Sequence, residues 1–240
     1  MQTEPRLLEL NRLGIPEGVR DGFPILAGYF PIAMAFGLLA KSVPVSLPET
    51  LGFSIFVFAG ASQFMALNLL KTGAAVGEIV VATLLLNFRH LLMSASLAAR
   101  LTERRKHLLA LVGFGITDET FAVTATQDRP FSVPYLLTVE GLAYAGWVSG
   151  TGFGYLIGEI LPPLVRTSMG IGLYAMFVAI LVPQFKKALT PMILALGAGV
   201  IHTLLIWLKL LPGGWNLVAA LVLAAVIGAF FLNEEAAEGH

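Results

Sequence analysis

The chain has 240 residues, 57% of them hydrophobic and only 12% charged, and its formal net charge is zero. Soluble domains carry about 25% charged residues, so this composition excludes an ordinary water-facing surface, and the neutral balance excludes nucleic-acid binding by bulk charge. There is no Cys, which excludes a disulfide framework and a thiolate metal site.

Residues 1–20, MQTEPRLLELNRLGIPEGVR, are too polar for the compact apolar stretch of a cleavable signal peptide. Residues 1–21 read instead as a short amphipathic cytoplasmic N-terminus lying at the membrane surface. Eight hydrophobic elements follow, at 22–40, 49–70, 76–99, 108–126, 132–157, 169–184, 190–208 and 215–232, before a polar tail at 233–240. A span needs about 20 apolar residues, and lipid cannot satisfy an open backbone, so each element is expected to be helical. The fold expected is an all-α polytopic membrane protein forming one transmembrane domain over 1–240, with a first half at 22–126 and a second at 127–232.

Lys and Arg favour the cytoplasmic side. If all eight elements cross, seven basic residues lie inside and seven outside, and the most basic loop, RLTERRKH, lies outside. If elements two and six do not cross, ten lie inside against four; if elements three and seven do not, nine against five. An odd number of crossings per half is therefore favoured.

Weak internal similarity points the same way. LAGYFPIAMAFG (26–37) is similar to YAGWVSGTGFG (144–154), FVFAGASQF (56–64) to FVAILVPQF (177–185), and RHLLMSASL (89–97) to IHTLLIWLKL (201–210). Small and aromatic residues also recur in unrelated membrane helices. Two inverted repeats with discontinuous or re-entrant helices would place a substrate site near the midplane, with Gly60–Ala61–Ser62 and Pro183 as break points.

Polar residues inside apolar elements are expensive and therefore informative. Asn87, Arg89 and His90 sit within LLNFRHLLM. Asn87 and His90 share a helical face, while Arg89 points about 100° away from His90. Arg89 suits capture of a substrate carboxylate and His90 suits proton handling, since imidazole titrates near neutrality; the alternative is a structural polar knot or a snorkelling Arg. Asp118 and Glu119 lie in the middle of 108–126, where burial and like charge both disfavour two ionised carboxyls. They suit proton coupling or ammonium binding, or else a buried salt bridge with Arg89. Thr117, Thr120 and Thr124 form a stripe toward the interior, and Glu140 reads as a weaker candidate at the interface. FAGASQF (58–64) places Ser62, Gln63 and Phe64 beside small residues that allow close backbone approach. His202 reads as structural, and Trp147, Trp207 and Trp215 as anchors or packing.

The order GFPILAG, AFG, FAGASQF, LLNFRHLLMSASL, TDETFA and LPGGWN resembles the AzlC family, the large subunits of bacterial branched-chain amino acid exporters. The resemblance implies an inner-membrane location and a separately encoded small partner of the AzlD type with about four spans. In element six this chain has GLYAMF, with Tyr174 where the family often carries an acid.

The expected function is export of branched-chain amino acids (Leu, Ile, Val, with Met as a further candidate), proton-coupled and without cofactor or metal. Ser62, Gln63, Phe64, Asn87, Arg89 and Met93 are the expected substrate contacts; His90, Asp118 and Glu119 are the expected proton-coupling groups. The rival readings are a transporter or channel for another small amphipathic solute, an assembly subunit, and an integral-membrane enzyme. HExxH is absent, and GFGI (113–116) has Ile116 where a GxGD motif needs Asp.

Overall fold

The structure is a computed structural model that describes residues 13–101, 103, 105–158, 160–162, 164, 178, 182, 190–208, 211, 216, 219–220, 222–224 and 226–228. The regular structure among the described residues is helical, apart from one isolated bridge between Leu13 and Phe131. The helices are α1 (Ile15–Lys41), α2 (Leu47–Phe56), α3 (Gly60–Lys71), α4 (Val76–Ala98), α5 (Lys106–Gly115), α6 (Asp118–Ala125), α7 (Val133–Ile157) and α8 (Thr190–Leu208). By length and composition α1 and α4 can each cross a membrane, and α5 with α6 makes a third candidate that is bent by 112°.

The chain divides into two compact units, Met1–Phe64 with Asn87–Gly170 and Met65–Leu86 with Ile171–His240. In the second, Leu69 and Ala82 are buried and Met65, Ala74, Ile79 and Val81 pack on them. The candidate site lies wholly in the first unit.

The first unit is built on α1 and α7, which run parallel. Leu13 N–H donates to the Pro130 carbonyl at 2.9 Å and Ser132 N–H to the Leu13 carbonyl at 3.1 Å, so both chains enter side by side. Above that point small residues let the backbones touch. Gly146 faces Leu26, Gly150 faces Phe30, Gly154 faces Met34 and Gly158 faces Leu38. Each pair is 120 positions apart (146 − 26, 158 − 38), which is the register of a straight parallel pair. Inverted halves would need these two opening elements to run antiparallel. The likeness of 26–37 to 144–154 thus belongs to two parallel neighbours, not to an inverted pair.

Helix α1 begins at Ile15, so residues 15–21 are its first turns and not part of a separate surface helix. Its interior Pro24 and Pro31 do not end it, as is common in membrane helices, where neighbours re-satisfy freed backbone groups.

The second and fourth expected elements are interrupted. Element two breaks at 57–59, a few residues before Gly60–Ser62, and Phe58 there adopts a positive φ of 42°, a strained conformation for a bulky residue. Element four breaks at Ile116–Thr117, where both residues are extended. Side-chain contacts show that both elements double back. Tyr155 Oη donates to the Val45 carbonyl at the far end of α1. Helix α2 then descends past Thr151, whose hydroxyl lies 2.7 Å from that of Ser54, to Tyr144, which bonds the Ile55 carbonyl. Helix α3 climbs again, from Gly60 under the Trp147 ring to Phe64 against Phe36. At the opposite end, Arg100 before α5 donates to the carbonyls of Ala125, the last residue of α6, and Gln127 just beyond it, at 3.0 and 2.6 Å, and stacks on Phe131 at 4.7 Å. A cation on the last carbonyls of a helix is a favourable cap. Arg100 therefore lies beside the end of α6 and the entry to α7. Element four, expected as one helix, is two helices bent by 112° at Ile116–Thr117. Of element six only residues 178 and 182 are described; Tyr174 and Pro183 lie outside the described residues.

Candidate functional site at two hairpin tips

The two tips meet beside α1 and α7. Phe58 of the first tip lies 6.2 Å from Phe114 of the second, and both rings contact Tyr144. Tyr29 of α1 joins them, 6.5 Å from Phe58 and 5.4 Å from Trp147. A half-helix N-terminus reaches this aromatic cluster from each side: Gly60 of α3 and Asp118 of α6. The first-turn amides of a helix lack intrahelical partners and carry its positive end.

Asp118 and Glu119 thus occupy the first turn of a half-helix, not the middle of a continuous one. Thr117 is the N-cap: its hydroxyl accepts from Thr120 N–H, while Thr120 Oγ1 accepts from Thr117 N–H at 2.8 Å. Negative charge is favoured at such a position. Asp118 Oδ2 pairs with Arg89 Nη1 at 2.8 Å, with the side chains 24% and 38% exposed respectively. Glu119 Oε2 bonds the Tyr29 hydroxyl, which also lies 2.8 Å from Thr117 Oγ1. Among the described residues Glu119 Oε1, Arg89 Nε and Asn87 Oδ1 are buried without a hydrogen-bond partner. Buried polar groups are normally satisfied, so these three atoms are open to a further polar partner.

Asn87 Nδ2 donates to Ser62 Oγ at 3.0 Å, and Ser62 in turn donates to the Ala59 carbonyl at the first tip. Residues 87–90 of α4 therefore span both tips, Asn87 on α3 and Arg89 on α6. His90 is half-buried with Nδ1 3.1 Å from the Asn87 carbonyl. Met93 is half-buried one turn further on.

Two expected substrate contacts are committed elsewhere. Gln63 is fully buried; its Nε2 donates to Ser54 Oγ at 3.1 Å and its Oε1 accepts from Trp147 Nε1 at 2.9 Å. Its backbone N–H bonds the Ala59 carbonyl, so the open amides of this tip belong to Gly60, Ala61 and Ser62. Phe64 packs on Phe36 at 5.5 Å. Gln63→Leu is expected to lower the melting temperature of purified protein, because Ser54 and the Trp147 indole lose a buried partner worth about 1–3 kcal/mol. The folded fraction should still bind substrate; a selective loss of affinity with unchanged melting would return Gln63 to the ligand.

Tyr29 was not singled out in the sequence. It lies 90 positions from Glu119, and one Tyr in an apolar helix carries no local signal of such a bond.

The sequence profile of the AzlC protein family matches residues 24–161. The chain belongs to the AzlC family. Relatives of this AzlC-family chain include the inner membrane protein YgaZ of Escherichia coli, 33% identical over 71% of this chain and 73% of that one. A membrane protein of Archaeoglobus fulgidus is 36% identical over 71% of this chain and 75% of its own. The branched-chain amino acid transport protein AzlC of Bacillus subtilis is 28% identical over 68% of this chain and 65% of its own. No solved structure matches the chain. The matched region contains both tips, and the AzlC-family chain is a membrane protein.

Proposed function

We propose that this chain is the large subunit of a two-component exporter of branched-chain amino acids in the cytoplasmic membrane, driven by proton exchange and working with a small AzlD-type subunit. The Arg89–Asp118 pair at the meeting of two hairpin tips carries the reading. A branched-chain amino acid is a zwitterion with an apolar tail. It can enter an ion pair without a change of net charge: its carboxylate takes Arg89 and its ammonium takes Asp118. The open amides at Gly60–Ser62 and the Asn87 amide supply further contacts to the carboxylate. The Phe58, Phe114 and Met93 side chains offer an apolar surface to the tail. Proton exchange is assigned to Glu119 and His90. The transport name of the Bacillus subtilis relative supports the substrate class. Efflux of radiolabelled leucine from cells, with and without the small subunit and with a protonophore, tests this. Flux that requires the partner and collapses with the proton gradient is the expected result; flux indifferent to the gradient would make the protein a passive pore.

The topology that fits this reading has α1, α4 and α7 crossing and both hairpins re-entrant, from opposite sides. A ten-residue half-helix is about 15 Å long, half of a hydrocarbon core of about 30 Å. With the N-terminus cytoplasmic, Arg6, Arg12, Arg20, Arg100, Arg104, Arg105, Lys106 and Arg129 fall inside and Lys41 and Lys71 outside, the bias that orientation requires. The inverted pair is then 15–71 against 76–125, each a span followed by a hairpin. Because the chain lacks Cys, single Cys residues report sidedness without background. Cys at Ser42 and at Thr72 should react with impermeant maleimide added outside cells, and Cys at Glu103 and at Asp128 should not. Opposite sidedness of positions 103 and 128 would overturn the re-entrant reading of α5–α6.

A further inference from the structure

We propose that Glu140 is a proton-binding group that controls how the α5–α6 hairpin seats on α7, distinct from the Arg89–Asp118 and Tyr29–Glu119 contacts. The proposal deepens the transport reading and rests on it only for the use the cell makes of the proton.

Glu140 stands on α7, 4% exposed. Among the described residues it has no ion pair, and its Oε2 is buried with no hydrogen-bond partner. Its neighbour is Gly115, the last residue of α5. A Cβ built on Gly115 would lie 2.6 Å from Glu140 Oε2 and 2.7 Å from Glu140 Cβ, so the carboxyl occupies the space that the glycine leaves. Immediately beyond lies the Ile116–Thr117 break, where the Gly115 carbonyl accepts from Thr120 Oγ1 at 3.3 Å. One turn along α7, Tyr144 holds the Phe58 and Phe114 rings. The carboxyl is wedged at the hinge of the hairpin.

The elements packed on α7 carry few titratable groups. They are Glu17, Arg20, Asp21, Tyr29 and Lys41 on α1, Glu49 on α2, Lys106 and His107 on α5, and Asp118 and Glu119 on α6. None is bonded to Glu140 among the described residues. An ionised carboxylate buried without a partner is the costly state, and here it would also face the negative, carbonyl end of α5. The neutral acid fits; the carboxylate must gain water or push the hinge away. The two extended residues at the break supply the slack. Since α6 begins with Asp118, displacement of the hinge moves Asp118 relative to Arg89, which links proton loss at Glu140 to the ion pair. A residue that merely fills space would stay neutral at every accessible pH.

The test uses the full-length chain with Ile116→Cys as its single thiol. Ile116 is 2% exposed at the hinge. Its reaction rate with a water-soluble maleimide in membranes is divided by that of Thr72→Cys, an exposed turn position, which cancels ionisation of the thiol itself. From mildly acidic to mildly alkaline pH the ratio should rise several-fold with Glu140 in place, and stay flat and low in Glu140→Gln. Glu140→Leu, read the same way, serves if the Gln variant does not reach the membrane. No rise with Glu140 present, or an equal rise in the uncharged variants, overturns the proposal. Neither readout involves substrate, so absence of leucine flux leaves the proposal standing, and a flat ratio leaves the transport reading standing.

Discussion

Arg89→Ala is expected to abolish coupled leucine efflux and to lower stability, and the two losses should separate in a double variant. Breaking a fully buried ion pair from one side costs about 3–5 kcal/mol, because the remaining charge is left uncompensated. Arg89 and Asp118 are partly exposed, so solvent screening reduces the cost to about 1–3 kcal/mol. Asp118→Asn should cost a similar amount, now leaving Arg89 without its carboxylate. The double variant Arg89→Ala/Asp118→Asn removes both charges and should recover most of the melting temperature lost by either single change. It should recover no transport, since a zwitterion then finds neither partner. Detergent melting curves and vesicle flux measured on the same preparations distinguish these outcomes. Well-folded Arg89→Ala that still exports leucine would place the substrate elsewhere. Arg89→Lys should retain much of the stability and lose much of the flux, because the ammonium preserves the charge but not the planar fork that matches a carboxylate.

How far this site could be read from the sequence depended on the distance over which each contact acts. Arg89 and Asp118 were legible as partners because opposite charges inside apolar elements have few ways to be satisfied. Element ends were legible where Pro, Gly or charge marks them: 132–157 against Val133–Ile157, and 76–99 against Val76–Ala98. The break inside 108–126 has no Pro and no Gly at 116–117. Its signal was the cap itself, Thr117 followed by acidic residues and Thr120, a helix-start pattern that also fits an interior stripe of threonines on one continuous helix. The doubling back of both hairpins depends on Arg100 reaching the end of α6 and Phe64 reaching Phe36, contacts that hydrophobic periodicity does not encode. Tyr29 and Glu140 were hidden for opposite reasons. Tyr29 looked like packing and is bonded across the fold; Glu140 looked like an interface acid and is buried against a hinge.

The α1–α7 seam gives the second large effect. Gly154→Val should remove most folded protein, because even a Cβ at Gly154 would sit on the Met34 carbonyl and its backbone. Gly150 against the Phe30 carbonyl and Gly37 against that of Thr151 make the same demand. Overpacking a core ordinarily costs about 1–3 kcal/mol, since side chains shift to absorb it. Here the obstruction is backbone on both helices, which cannot rotate away, so the helices must separate along their length. Separation would break the frame that holds both tips: Trp147 and Tyr144 on α7, Tyr29 and Phe36 on α1. Gly28→Ala and Gly141→Ala are the controls, because nothing lies within 4 Å of either position. Removing a helical Gly there should be neutral or stabilising by up to about 1 kcal/mol. Size-exclusion profiles and melting temperatures in detergent report the contrast. If Gly154→Val folds as well as Gly28→Ala, α1 and α7 are not in backbone contact, and the parallel register from Gly146 to Gly158 is wrong. If the seam variants alone collapse, the small residues of α1 and α7 fix the distance between two parallel helices, and through it the position at which the hairpin tips meet.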